Sequence, residues 1–206
     1  MAICADCTAP IGLPEPCTLV LPDGSAATLR LLAADDVDAL GTFFVELGEE
    51  TRRLYAPHAF DRETAASLCA GPKPEEAWRF VLVASTPVPG RILAYFIIKL
   101  GGYASDAQRY AARGLHLDEA TTCSLAPSVA DDQQSRGIGS TVLGSILAAM
   151  ATRGYRTMVL QGGVRALNPR AIRFYEKNGF VRVGDFRVRD LDNHDMMLDL
   201  TRVVPG

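Results

Sequence analysis

The sequence predicts an α/β domain, α+β in the arrangement of its elements, and three observations carry that expectation. β-rich runs stand before, between and after helical ones. An extended run through Leu125 to Val129 feeds a polar turn that opens straight into an apolar helix. The stretch Asn168 to Phe180 marks both ends of a second helix. With 206 residues and 48% apolar content, the chain suffices for one well-cored domain. The expected organisation is a flexible tail over 1–17 and a single domain over 18–206 with an insertion at about 101–119.

In chain order, Thr18 to Leu21 and Ala27 to Leu32 flank Pro22-Asp-Gly-Ser, a hairpin with turn chemistry at its tip. Asp35 and Asp36 head a helix to about Leu47, with Val37, Leu40, Phe43, Phe44 and Leu47 on one side. Gly48 to His58 reads as a polar loop, and Asp61 as the cap of a helix over Arg62 to Cys69. Arg79 to Ser85 and Arg91 to Leu100 are β-rich runs, joined by Thr-Pro-Val-Pro-Gly. Gly101 to Glu119 has no clean period and reads as a short helix or a surface excursion. Thr121 to Val129 is the strand that enters the turn, and its Pro127, which lacks an N–H, implies a bulge or a splayed edge. A splayed strand leaves amide groups free for an extended ligand. After a short strand at Thr157 to Gln161, Asn168 caps a helix with Pro169 in its first turn and Gly179 closing it. Phe180 to Phe186 and Met196 to Leu200 finish as strands, with Asp190 to Asp195 as the turn between them.

Chemistry concentrates at Gln134-Ser-Arg-Gly-Ile-Gly139. The first N–H groups of a helix have no internal partner and carry the positive end of its dipole, so the start of the helix bearing Ile138, Val142, Leu143, Ile146, Leu147 and Met150 favours an anion. Gly137 and Gly139 allow a bulky phosphorylated ligand to approach the backbone. A Walker loop needs a Lys after its last glycine, and none follows here; a dinucleotide fingerprint needs a third glycine where Val142 stands.

The remaining pattern, Gln134-x-x-Gly137-x-Gly139, resembles the coenzyme A pyrophosphate loop of the GNAT N-acetyltransferase superfamily. Some 30 residues later, Asn168-Pro-Arg-Ala-Ile-Arg-Phe-Tyr-Glu-Lys-Asn-Gly-Phe180 resembles that superfamily's closing helix. The loop and Glu50-Thr-Arg-Arg-Leu-Tyr-Ala-Pro-His58 look closest to bacterial protein lysine acetyltransferase domains. The resemblance implies a mixed, splayed central sheet of six to seven strands flanked by about four helices, with acetyl-coenzyme A as co-substrate and no metal. Its activity would be acetyl transfer to a primary amine, of a small molecule or a protein lysine, by direct attack in a ternary complex. It places the cofactor against Leu125, Ala126, Val129, Gln134, Ser135, Arg136, Gly137, Ile138, Gly139, Ser140, Asn168, Ala171 and Tyr175, with Tyr175 as general acid for the leaving thiolate. The family's usual acidic position on the strand before the loop is Ser124 here. Serine cannot deprotonate an ammonium at neutral pH, so Glu50 and Glu119 become base candidates, with Glu46, Glu49, His116 and Asp118 near the same expected mouth. The same substitution motivates an alternative, an acyl-coenzyme A-binding regulatory domain with little or no catalysis.

Composition narrows the partners. A formal charge of -3 with both signs interspersed argues against nucleic acid. No apolar run reaches membrane-spanning length, and Met1 to Pro16 lacks the features of a signal peptide, so a cytoplasmic monomer or homodimer is expected. Five cysteines do not suggest a disulfide framework, and Cys4, Cys7 and Cys17 lack a fourth ligand at metal-site spacing.

Overall fold

The computed structural model describes residues 14–54, 57–71 and 73–203, so Cys4 and Cys7 lie outside the described residues. The first hairpin is β1 (Cys17–Val20) with β2 (Ala26–Leu31). At its tip the Asp23 carboxylate accepts from both the N–H and the hydroxyl of Ser25, at 2.9 and 2.6 Å. A 3-10 turn over Ala34–Asp36 leads into α1 (Val37–Glu46). Asp36 fixes that start by accepting both guanidinium branches of Arg30, at 2.6 and 2.7 Å, and the N–H of Ala33 at 2.8 Å.

The expected polar loop at Gly48 to His58 instead contains a helix, α2 (Glu49–Leu54). It buries no residue, so it has no apolar stripe to betray it. Tertiary bonds hold it: Arg52 donates to the carbonyls of Leu47, Phe44 and Phe60 at 2.6, 2.7 and 3.1 Å, which satisfies the open end of α1. α3 (Arg62–Ala70) begins as expected, with Asp61 accepting from the N–H of Thr64 at 2.7 Å. Then follow β3 (Ala77–Ala84), β4 (Ile92–Leu100) and α4 (Ala104–Ala111). Of the two readings of the 101–119 stretch, the helix is the one found. α4 is latched to the last strand by Arg109 and Arg113, both paired with the fully buried Asp195 at 2.7 to 3.1 Å, and by the Tyr110 hydroxyl donating to the Met196 carbonyl.

The second half runs β5 (Thr122–Val129), α5 (Ile138–Thr152), β6 (Thr157–Leu160), β7 (Val164–Arg165), α6 (Pro169–Lys177), β8 (Val181–Val188) and β9 (Leu191–Asp199). The closing turn is tighter than expected. Asp190 to Asp195 belongs almost wholly to β9, and the chain reverses at Arg189, whose φ of 54 is left-handed. Asp192, Asn193, His194 and Asp195 are consecutive polar residues, two of them buried, so the start of the strand has no apolar alternation and reads as a polar turn.

Among the described residues there are thus nine strands and six α-helices, somewhat more than the six to seven and about four expected; α2 and the two-residue β7 account for part of the excess. The strand order is β1-β2-β3-β4-β5-β6-β9-β7, with β8 also paired to β9. Every pairing is antiparallel except β5 with β6, whose crossover is α5. One face packs Phe80, Phe96, Leu125, Met158 and Met196 against α5 and α6. The other packs Val81, Tyr95, Ile97 and Ala126 against α1 and α3.

The splay lies between β5 and β6. Their register ends at Leu125 with Leu160, and the Gln161 N–H closes it on the Leu125 carbonyl at 3.0 Å, while β5 continues to Val129 alongside β4 alone. The β4–β5 ladder runs through Phe96 and Pro127 without a register shift. Thr122 and Ala130 bond toward β4, whereas Leu125 bonds toward β6. By alternation, the missing N–H of Pro127 faces the gap, so the proline costs no ladder bond and produces no bulge.

Candidate functional site

At the splay, a cleft of about 330 Å³ runs between the end of β5, the start of α5 and one side of α6. The connection from Val129 to Ile138 is tied down by side chains. Asp131 accepts from the Gly48 N–H, the Thr51 hydroxyl and the Gln134 amide, all at 2.8 to 2.9 Å, so it joins this loop to α2. The Gln134 amide also donates to the Val129 carbonyl at 3.0 Å. Both its N–H groups are thereby used, and Gln134 shapes the loop rather than offering a side-chain donor to an anion.

Ser135 has φ 62 and Gly137 φ 83, two left-handed residues in three. Such a conformation is cheap for glycine and strained for serine, and it turns successive N–H groups toward one side. Gly137 caps α5 without any side-chain cap bond. The N–H groups from Ser135 to Gly139 donate to no acceptor among the described residues, whereas Ser140 and Thr141 donate to the Gly137 carbonyl at 3.0 and 3.1 Å. Five donors therefore stand open at the positive end of a 15-residue helix. A Cβ on Gly137 would come within 2.9 Å of Pro22 in a left-handed conformation, and one on Gly139 within 3.1 Å of the Phe174 ring, so a side chain at either crowds its neighbour.

The opposite wall is α6. Asn168 caps it by accepting from the Ala171 N–H at 3.0 Å, with Pro169 in the first turn. Asn168, Ala171 and Tyr175 all line the cleft, as expected from their shared face. Tyr175 is 7% exposed between Phe174 and Phe180, and burial pushes its phenol up, so the hydroxyl keeps its proton at neutral pH. Arg170, Arg173 and Lys177 line the same wall at helical spacing and form no ion pair among the described residues. Sequence reading passed over these three cations, although their spacing of three and four residues was visible.

Other expected residues take different places. Val129, Ser135 and Ser140 line the cleft. Leu125, Ala126 and Ile138 are core side chains, and only their backbone is available to a ligand. Arg136 does not line the cleft; its charge falls on Asp23 of the first hairpin. Glu50 is exposed on α2 and does not line the cleft. Glu119 is exposed beside Gly101, at the far end of β5. Glu46 pairs loosely with Arg91 at 3.8 Å, and Asp118 caps its own turn. Ser124 is fully buried, and its hydroxyl donates to the Gly101 carbonyl at 3.2 Å. Thr51 and Leu54 of α2 enter the cleft unannounced, because the helix itself was not legible. No group of three or more potential metal ligands occurs among the described residues.

Comparison with known proteins bears on this arrangement. Residues 111–180, which hold β5, the loop, α5 and α6, match the model of the acetyltransferase (GNAT) family. No curated protein sequence matches the chain significantly. Among solved structures, the GNAT domain of S. lividans PAT is similar at a TM-score of 0.70 and 19% identity, over 91% of this chain and 99% of that one. The ribosomal-protein-S5-alanine acetyltransferase from Vibrio fischeri is similar at 0.67 and 12%, over 87% and 96%. Mycobacterium smegmatis RimJ in complex with CoA-disulfide is similar at 0.64 and 15%, over 90% and 88%. The family's pattern thus lies on the segment that builds the cleft, and the fold of these acetyltransferase structures extends over nearly the whole chain.

Proposed function

We propose that this protein is an N-acetyltransferase that moves an acetyl group from acetyl-coenzyme A to a primary amine. The observation that carries the reading is the set of five unspent N–H groups at the start of α5, opening on a cleft that continues along the unpaired edge of β5. A pyrophosphate fits the first feature, and an amide-bearing pantetheine arm fits the second. Arg170, Arg173 and Lys177 suit a further phosphate. The relative solved with CoA-disulfide supports the same ligand.

Bound there, acetyl-coenzyme A supplies an activated thioester. The chain's own residues then orient, exclude water and manage protons. The N–H groups from Ser135 to Gly139 hold the phosphates, and the edge of β5 aligns the arm. The new bond joins the amine nitrogen to the acetyl carbon as the carbon–sulfur bond breaks; of the two protons the ammonium gives up, one goes to solvent and the sulfur gains one. Tyr175, whose buried phenol still holds its proton when the carbon–sulfur bond breaks, is the donor to the sulfur and regains a proton from the amine. Ser124 is spent on a carbonyl and is no base. Ser124 supports a second reading, a coenzyme-binding domain without turnover. Release of free thiol from acetyl-coenzyme A in the presence of a broad amine panel separates the two: none with any amine, despite tight coenzyme binding, sinks the enzyme.

A further inference from the structure

The coenzyme cleft uses one face of the sheet, and the other face carries a polar cluster that neither folding nor the cleft explains. Arg79 alternates with Ala77 and Val81 of the α1–α3 core, and Lys99 follows Tyr95 and Ile97, so all project on that face. Register sets Arg79 beside Ile97 and Ala126, and Lys99 beside Ser124, directly across the strand whose other side borders the splay. The Arg79 guanidinium lies by the Tyr95 hydroxyl, and its charge reaches His58 and Tyr103. The Lys99 ammonium sits 4.8 Å over the Tyr103 ring and, among the described residues, is bonded only to the carbonyls of Leu100 and Gly102. The Gln161 side chain adjoins the Tyr103 hydroxyl at the point where β5 and β6 part.

Two features make this cluster more than a polar patch. Neither Arg79 nor Lys99 has an ion pair among the described residues; Asp106, the acid whose charge reaches Tyr103, is held by Arg109 at 2.9 Å. Buried polar atoms are nearly always bonded, and each that is not needs a reason. Among the described residues the unpartnered ones are Arg79 Nε, Thr122 Oγ1, Ser128 Oγ and Gln161 Oε1. The first three belong to this face by strand alternation, and Gln161 borders the gap. Donors and cations on β3 and β4 are thus left open, with an open amide oxygen at the splay.

We propose that this face is the acceptor site and that the acceptor is a small primary amine carrying a carboxylate, held by Arg79 and Lys99, with Gln161 Oε1 accepting an N–H of the amine. The inference rests on the acetyltransferase reading. A carboxylate fits the Arg79 fork and neutralises two unpaired cations. Tyr103 adjoins both ends of the cluster, so carboxylate and amine are a few bonds apart, as in an amino acid. The gap between β5 and β6 is where an amine on this face meets a thioester on the other. Two uncompensated cations disfavour polyamines and basic peptides.

The test offers acetyl-coenzyme A with glycine, glutamate, their methyl esters, spermidine and a lysine peptide, and measures thiol release. The free acids are expected to exceed their own esters at least tenfold in kcat/KM. Arg79→Gln and Lys99→Gln should raise KM for the acids by about 10- to 100-fold and leave the ester constants within about twofold; Arg79→Lys should recover part of the loss. Equal rates for acids and esters, or preference for spermidine or the peptide, overturns the proposal and leaves acetyl transfer standing. Should no amine release thiol, acetyl transfer fails, and calorimetric titration of glutamate and its methyl ester into coenzyme-saturated protein decides the site separately. Glutamate binding that is lost in Lys99→Gln supports it, and binding no tighter than the ester's overturns it.

Discussion

The two faces of the central sheet solve different problems. On the α5–α6 face, binding capacity comes from backbone: left-handed turns, open N–H groups and a strand edge left unpaired. On the α1–α3 face it comes from side chains that converge from β3, β4 and the end of β6. Backbone sites demand particular residues at fixed spacing, because glycine takes the turn and the close approach at least cost. Side-chain sites demand only that distant residues meet, and any of several positions serves. A constant ligand suits the first device and a variable one the second.

The severest loss is expected on the backbone face. Tyr175→Phe removes one hydroxyl from a well-packed ring, so stability should hardly change. Thiol release should fall by roughly 10² to 10⁴ with coenzyme affinity nearly kept, if the phenol protonates the sulfur. Unchanged turnover returns Tyr175 to packing, and an equal loss of affinity makes it a positioning group. Next comes Gly139→Val, whose Cβ alone would press on Phe174 at the cleft wall. Coenzyme dissociation, followed by calorimetry, should weaken by about 10² because the phosphates lose their approach to the N–H groups. Gly137→Val is the poorer test, since it also collides with Pro22 in a left-handed conformation.

These sites were legible in sequence for the reason the comparison gives. Gln134 to Gly139 and Asn168 to Gly179 are local, and each residue acts on its neighbours, so pattern and geometry coincide. Where contacts are non-local, reading failed. α2 is held by Arg52 bonds to three carbonyls of α1 and the following loop, and no periodicity records that. β9 reads as a turn because Asp192 to Asp195 are four consecutive polar residues, and only tertiary contacts bury Asn193 and Asp195. Pro127 marks a splay in the sequence, but which neighbour the strand parts from depends on strand order and is not written locally.

Two intermediate tests probe how each face is supported. Asp195 is fully buried beneath α4 and is shared by Arg109 and Arg113. Asp195→Ala should cost about 2 to 4 kcal/mol in urea unfolding, somewhat below the value for a fully buried pair because both guanidiniums keep 21% and 24% exposure. A loss under 0.5 kcal/mol means α4 is held by Tyr110 and packing alone. Asp131→Ala cuts the tie between α2 and the phosphate loop. Coenzyme affinity is expected to fall about tenfold as the loop loses its fixed shape, with global stability little altered at this exposed site. An unchanged constant shows that the loop is preformed without its tether.

The smallest effect reports on the side-chain face. His58 packs among Phe44, Phe60 and Tyr95, with Nδ1 2.7 Å from the Ala59 carbonyl and Nε2 3.4 Å from the Tyr95 hydroxyl. That pattern fits a neutral ring donating from Nδ1 and accepting at Nε2. Burial first, and the Arg79 charge as well, hold the imidazole below its ordinary value of 6.5. The folded protein therefore resists protonating His58 where the unfolded chain already binds the proton. The unfolded state holds more protons just below pH 6.5, so this contribution to stability is present above that pH and is lost as pH falls toward the depressed folded value. His58→Phe keeps a ring in the aromatic cluster and removes the titration. Urea midpoints measured from pH 7.5 to 5 should show the natural protein losing stability relative to the variant as the solution acidifies. A difference that stays constant with pH means the imidazole charges freely in place.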